Sequence, residues 1–197
     1  MSRATRESLS TIAYVAVGII AGIAIGYLTF RQRFFHLPRP MLPFLVVGLT
    51  GALMYATVRL RRAGLAILMI LLLYLTQVAM MPPIRASSLA AGAIFAIPVG
   101  FALLAGSYAQ QALARFKFGR FVVMGLIVAV GYGLMMVLFL VRSHTDIRMS
   151  WVRAQALIGL ELGAVMGLGF ELVDLLWPRP KRPPAKARAP ESTGSGS

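Results

Sequence analysis

Residues 121–141 read FVVMGLIVAVGYGLMMVLFLV, a run without one charged side chain. An α-helix rises 1.5 Å per residue, so about 20 apolar residues are enough to cross the hydrocarbon core of a membrane, which is about 30 Å thick. The stretch therefore predicts a transmembrane helix, and it indicates that lipid is the solvent of this part of the fold.

Five other stretches of the chain approach the same length and apolar character. The chain has 197 residues, of which 58% are hydrophobic and 13% are charged, whereas soluble domains carry about 25% charged residues. We therefore expect an all-α, polytopic bundle of about six spanning helices, in which short loops make consecutive helices antiparallel neighbours. The six predicted spans are 10–30, 41–58, 64–81, 88–108, 121–141 and 154–177.

The composition of the chain changes after the last predicted span. Residues 1–177 contain all six apolar stretches, whereas residues 178–197 are rich in Pro, Arg, Lys, Ser and Gly. Segments with so few apolar side chains do not bury enough surface to fold. The sequence predicts one transmembrane domain, 1–177, followed by a disordered basic tail, 178–197.

The distribution of Lys and Arg predicts the orientation in the membrane. If the N-terminus is cytoplasmic, the cytoplasmic side holds 13 of the 20 basic residues and the other side holds 7. Cytoplasmic loops are enriched in Lys and Arg. We therefore expect both termini in the cytoplasm, in the inner membrane of a bacterium.

Several classes of function are disfavoured by what the sequence lacks. It contains no Cys, and its two histidines, His36 and His144, lie in different inter-helix segments, so a metal or haem site is not expected. It has none of the usual hydrolase or phosphate-binding motifs. We expect no catalytic residue, no cofactor and no enzyme activity.

The net charge of +14 has a membrane interpretation. The basic residues flank the apolar runs and do not form one continuous face, as they would in a protein that binds nucleic acid. The predicted partners are therefore membrane lipids, including anionic headgroups, together with other membrane protein subunits, and nucleic acid is not expected.

Two of the predicted helices carry glycines at four-residue spacing, which places them along one helix face. Close backbone approach at small residues is what holds helices together in lipid. The two ridges either pack the protein's own bundle or present a surface to another subunit, and the sequence leaves both interpretations open. The glycines are Gly18, Gly22 and Gly26 in the first helix, and Gly159, Gly163 and Gly167 in the sixth.

Three of the six acidic residues lie in the last predicted helix. Glu171 and Asp174 are close to its end, where they are predicted to reach the membrane interface and to pair with basic residues or contact headgroups. Glu161 lies deeper, where an ionised carboxylate is costly. No Lys or Arg lies inside the other five spans, so we expect Glu161 to be neutral, to face water, to bond to polar side chains or to meet a charge on another chain.

A candidate polar site inside the membrane combines Glu161 with Pro98 and Gln77. Pro98 interrupts the fourth span, and a proline inside a helix frees a backbone carbonyl that can line a cavity. Two functions follow as hypotheses. The first is a non-catalytic subunit that packs through its glycine ridges into a larger inner-membrane complex. The alternative is a component of a small-solute or ion transporter or channel, with its site near Glu161 and Pro98.

Overall fold

The computed structural model describes residues 3–31, 41–60, 63–116 and 119–178. These residues form six α-helices and one short 3-10 turn, Leu113–Arg115, with no strand among them, so the predicted all-α helical bundle is confirmed. The helices are α1 Arg3–Arg31, α2 Met41–Arg59, α3 Ala63–Ala79, α4 Ala86–Ala112, α5 Arg120–Arg142 and α6 Met149–Leu176.

Five of the six helices are long and apolar enough to cross a membrane: α1, α2, α4, α5 and α6. The protein is an integral membrane protein. Helix α3 has 17 residues and is about 25 Å long, which is less than the hydrocarbon thickness. It ends at Ala79, two residues before the predicted end, because Pro82 and Pro83 follow and proline cannot continue a helix.

The helices pack mainly with their neighbours in sequence. Helix α6 packs most extensively on α5, α1 packs on α2, and α4 packs between α3 and α5. Helix α6 also contacts α1, which joins the two ends of the chain. We call the end of the bundle where α1 begins and α6 finishes the tail end, and the opposite end the far end.

Five of the six ridge glycines lie within contacts between helices of this chain. Gly18 lies against Gly48 of α2, and a methyl group on Gly22 would lie 2.6 Å from the Phe44 carbonyl oxygen. A methyl group on Gly163 would lie 2.9 Å from the backbone of Gly125 on α5. These glycines thus allow backbones to approach closely, as is common between membrane helices.

Two further ridge glycines have similar surroundings. A methyl group on Gly159 would lie 2.8 Å from the Val128 carbonyl oxygen, and one on Gly167 would lie 2.9 Å from the Phe121 Cα. Gly26 is buried. The predicted tail, from residue 179 onwards, is outside the described residues.

Candidate functional site

A cavity of about 740 Å³ opens at the far end of the bundle. It is bounded by the start of α2, the end of α3, the start of α4, the end of α5 and the start of α6. Its rim reaches the surface at Met81, Phe139 and Trp151, which are 37%, 46% and 49% exposed. The cavity is therefore accessible from the far end and from the surrounding membrane.

The wall of the cavity is mainly apolar and aromatic. Most of the lining side chains are aliphatic or aromatic, and no Lys, Arg, Asp, Glu or His is among the described residues that line the cavity. Ser150, Gln155, Gln77 and Tyr132 add the polar groups. The apolar part of the wall consists of Pro43, Phe44, Met81, Ala91, Ile94, Phe95, Met135, Met136, Phe139, Trp151, Ala154 and Ile158.

Two buried polar side chains in this wall have unused hydrogen-bonding capacity. Gln77 and Tyr132 are each 2% exposed. Gln77 Nε2 and the Tyr132 hydroxyl have no hydrogen-bond partner among the described residues. A buried polar group without a partner costs about 1–3 kcal/mol, so these two groups are the strongest chemical signal in the cavity.

Pro98 lies on α4 one helical turn from Phe95, toward the tail end of the bundle. Phe95 is part of the cavity wall, whereas Pro98 is not. The α4 backbone approaches α5 closely here, because a methyl group on Gly131 would lie 3.0 Å from the Pro98 carbonyl oxygen. Phe95 meets the Tyr132 ring edge-on at a centroid separation of 6.2 Å. Proline has no N–H to donate to the carbonyl four residues earlier, which belongs to Ile94 in the cavity wall.

The structure brings one of the three predicted polar-site residues, Gln77, into the cavity wall. Pro98 is not in the wall, although it lies one helical turn from Phe95, which is. Glu161 is not among the lining residues, and its side chain is exposed on the outer surface of α6. The reason is its place along α6: Glu161 lies on the same side of the helix as Ala154, but three residues beyond Ile158, the last residue of α6 in the cavity wall. It points away from the Gly159, Gly163 and Gly167 face, which packs on α5.

The two acids near the end of α6 lie at the tail end, within a buried charged cluster. Asp174 Oδ1 accepts hydrogen bonds from the Tyr14 hydroxyl at 2.6 Å and from Arg59 Nη1 at 2.5 Å. Asp174 Oδ2 accepts one from the Tyr55 hydroxyl at 2.5 Å and lies 3.7 Å from Arg120 Nη1. Asp174 thereby links α6 to α1, α2 and α5.

Glu171 belongs to the same cluster and accepts a hydrogen bond from the first turn of α5. It is 1% exposed, and its Oε1 accepts a hydrogen bond from the Phe121 backbone N–H at 2.7 Å. A carboxylate near a helix N-terminus satisfies an unpaired N–H and is favoured by the helix dipole. Arg120 Nε lies 3.8 Å from the same oxygen, so the charges are close although no hydrogen bond joins them.

Helix α6 also ends on a charged group of this cluster. Arg59 Nη2 donates to the Trp177 carbonyl oxygen at 2.7 Å, and the Arg59 guanidinium lies 5.1 Å from the centre of the Tyr14 ring. A cation near a helix C-terminus is favourable. The arrangement is what a structural clamp requires, since each charge has partners within the protein.

The sequence did not reveal the residues that line the cavity with Gln77. Tyr132, Phe95, Met135 and Trp151 belong to three different helices, and each resembles an ordinary core or interface residue in its own helix. The aromatic and methionine content of the second half of α5 was the available signal. It carries no information on which helix faces it.

Metal binding has no structural support within the described ranges, where no group of three or more His, Cys, Asp or Glu residues comes together. Comparisons with models of protein families, with curated proteins and with solved structures found no match to the chain.

Proposed function

We propose that the protein is a non-catalytic, solute-binding component of a membrane transport system, and that its far-end cavity holds a small, uncharged, largely apolar molecule. The volume of about 740 Å³ falls within the range of about 300–1,000 Å³ that is typical of small-molecule sites. The observation that carries the proposal is the pair of polar groups without a partner among the described residues, Gln77 Nε2 and the Tyr132 hydroxyl, in a mainly apolar wall.

The chemistry of this wall favours a solute with a hydrogen-bond acceptor such as a carbonyl oxygen. Gln77 Nε2 is a donor and the Tyr132 hydroxyl can donate as well, so either group can bind such an acceptor. A charged solute would lose its hydration on entering the cavity and would find no opposite charge among the described lining residues. Such a transfer is strongly unfavourable. The same argument disfavours an ion pathway through this cavity.

The membrane and the orientation are part of the proposal. The excess of Lys and Arg on the side of the termini supports a bacterial inner membrane protein with both termini in the cytoplasm. The cavity would then open on the periplasmic side. The basic tail would contact anionic headgroups on the cytoplasmic surface.

Photolabelling with benzophenone tests the cavity directly. Benzophenone is a small apolar ketone that inserts into neighbouring C–H bonds when irradiated, and peptide mass spectrometry then locates the adduct. In purified protein reconstituted into lipid nanodiscs, we expect adducts at Met135 or Met136. Diphenylmethane, which has the same shape but no carbonyl, should compete weakly for the site.

Variants separate a specific site from general partitioning into lipid. Gln77→Leu and Tyr132→Phe each remove a donor, and each should lower labelling about 2- to 13-fold, corresponding to about 0.5–1.5 kcal/mol for a neutral hydrogen bond. Ala154→Trp should abolish labelling by filling the cavity. Thr76→Val and Tyr108→Phe, which make matched changes outside the cavity wall, should leave labelling unchanged. Equal labelling of all these variants would refute the proposal.

A second candidate, a subunit of a larger membrane complex, has support of a different kind. The glycine ridges do not carry it, because those glycines lie within contacts of this chain. The observation that favours association is the exposed Glu161 on the membrane surface of α6. Loss of solute binding on changing Gln77, with assembly intact, would favour the first candidate over this one.

A further inference from the structure

Glu161 lies at mid-depth on a surface that faces lipid. It is 12 residues from the start of α6 and 15 from its end, or about 18 Å and about 22 Å along the helix axis. Its side chain is exposed, and no hydrogen bond or ion pair to it is present in the part of the chain that the structure describes. Hydrocarbon offers a carboxyl group no partner, so this position is costly unless a partner approaches from outside.

Among the described residues, the basic residues of α6 and of the helices packed against it lie at other depths, and those of α1 also lie at the helix ends. On α6 the nearest one is Arg153, two turns away along the axis, or about 12 Å. On α2 and α5 the basic residues are Arg59, Arg120 and Arg142, at the helix ends. A second molecule can supply the partner that the described residues do not.

The surface around Glu161 is suited to contact with another helix. Leu157, Val165 and Leu168 lie on the same face of α6, at the spacings that place residues above one another on a helix. They are 57%, 41% and 39% exposed. We call Leu157, Glu161, Val165 and Leu168 the α6 stripe.

We propose that the α6 stripe is the contact surface for a second copy of this chain, and that the two Glu161 carboxyl groups hydrogen-bond to each other in the middle of the membrane. A two-fold axis along the membrane normal brings the same patch of both copies together and places the two Glu161 residues at the same depth. Two neutral carboxyl groups, each with its own proton, satisfy each other's donor and acceptor.

The second copy is favoured over a different partner with a basic side chain. An ion pair requires two charges to leave water, and this desolvation can exceed the attraction between them. A pair of neutral carboxyl groups carries no charge and avoids that cost. Interhelical hydrogen bonds of this kind are known to hold membrane helices together. The proposal is independent of solute binding, because the stripe and the far-end cavity share no residue.

Disulfide cross-linking tests the interface cleanly because the chain has no cysteine. In native membranes treated with a mild oxidant, we expect Leu157→Cys and Val165→Cys to form covalent dimers of the chain. Ile67→Cys on α3 is the control, since Ile67 is 69% exposed but lies on another helix. Cross-linking of the stripe cysteines no greater than that of Ile67→Cys would overturn the proposal.

The role of the carboxyl group is tested by energy transfer between labelled chains in phosphatidylcholine and phosphatidylglycerol vesicles, titrated by protein-to-lipid ratio. Glu161→Leu should weaken dimerisation about 5- to 30-fold, the loss expected for a hydrogen bond of about 1–2 kcal/mol in lipid. Glu161→Gln keeps a donor and an acceptor and should retain most of the affinity. A wild-type chain that stays monomeric at all ratios, or a Glu161→Leu variant that dimerises as tightly, would overturn the proposal.

Discussion

At the scale of single residues, Asp174 has the largest predicted effect on stability. Its carboxylate accepts bonds from Tyr14, Tyr55 and Arg59, and it lies 3.7 Å from Arg120, which is 6% exposed. Asp174→Asn removes the negative charge that the Arg59 and Arg120 guanidinium groups face. We expect a loss of about 3–5 kcal/mol, the usual cost of breaking a buried ion pair, measured as a lower unfolding midpoint in detergent micelles.

The matched control is Asp146→Asn, which makes the same change in an exposed residue between α5 and α6 and should be close to neutral. Replacing Arg59 and Asp174 together with Leu should be less damaging than the sum of the single changes, because neither charge is left unpaired. Additive effects would contradict the clamp.

From sequence, Asp174 could be placed near a helix end. Its partners could not, since they come from three other helices.

At the scale of helices, the α5–α6 contact depends on individual glycines to different degrees. A methyl group on Gly163 would lie 2.9 Å from both the Gly125 Cα and the Met124 carbonyl oxygen, and backbone atoms cannot move aside cheaply. We therefore expect Gly163→Ala to force α6 away from α5 and to destabilise the protein by about 1–3 kcal/mol, as overpacking does. Unfolding in detergent measures this loss.

Gly133 on α5 provides the control at the same contact. A methyl group there would lie 3.7 Å from the Ala156 Cβ, an ordinary van der Waals distance. Gly133→Ala should thus be neutral or slightly stabilising, because alanine favours the helix. Equal destabilisation by the two substitutions would show that helix packing is not the cause. The four-residue spacing predicted a glycine face on α6, but only the packed structure distinguishes which glycines have no space.

At the scale of the whole molecule, the helix number could be read from the sequence because each apolar run depends only on its own residues. The far-end cavity could not, because it forms where five helices separate and its wall takes side chains from all but α1. The outward position of Glu161 could be predicted from the sequence only in part. Its angle to the glycine face followed from the helical period, but whether that side met protein or lipid depended on how α6 packs.

The predicted orientation of the bundle decides which side of the membrane the cavity faces. With 13 of 20 basic residues on the side of the termini, we expect that side to be cytoplasmic. The exposed Thr145, between α5 and α6, should then face outward. In a bacterium that expresses single-cysteine variants, an impermeant maleimide should label Thr145→Cys in intact cells and Ser197→Cys only after the membrane is opened. The reverse pattern would place the cavity on the cytoplasmic side, where the solute would have to be drawn from the cell interior. Labelling of both sites in intact cells would instead contradict the single crossing by α6 that separates them.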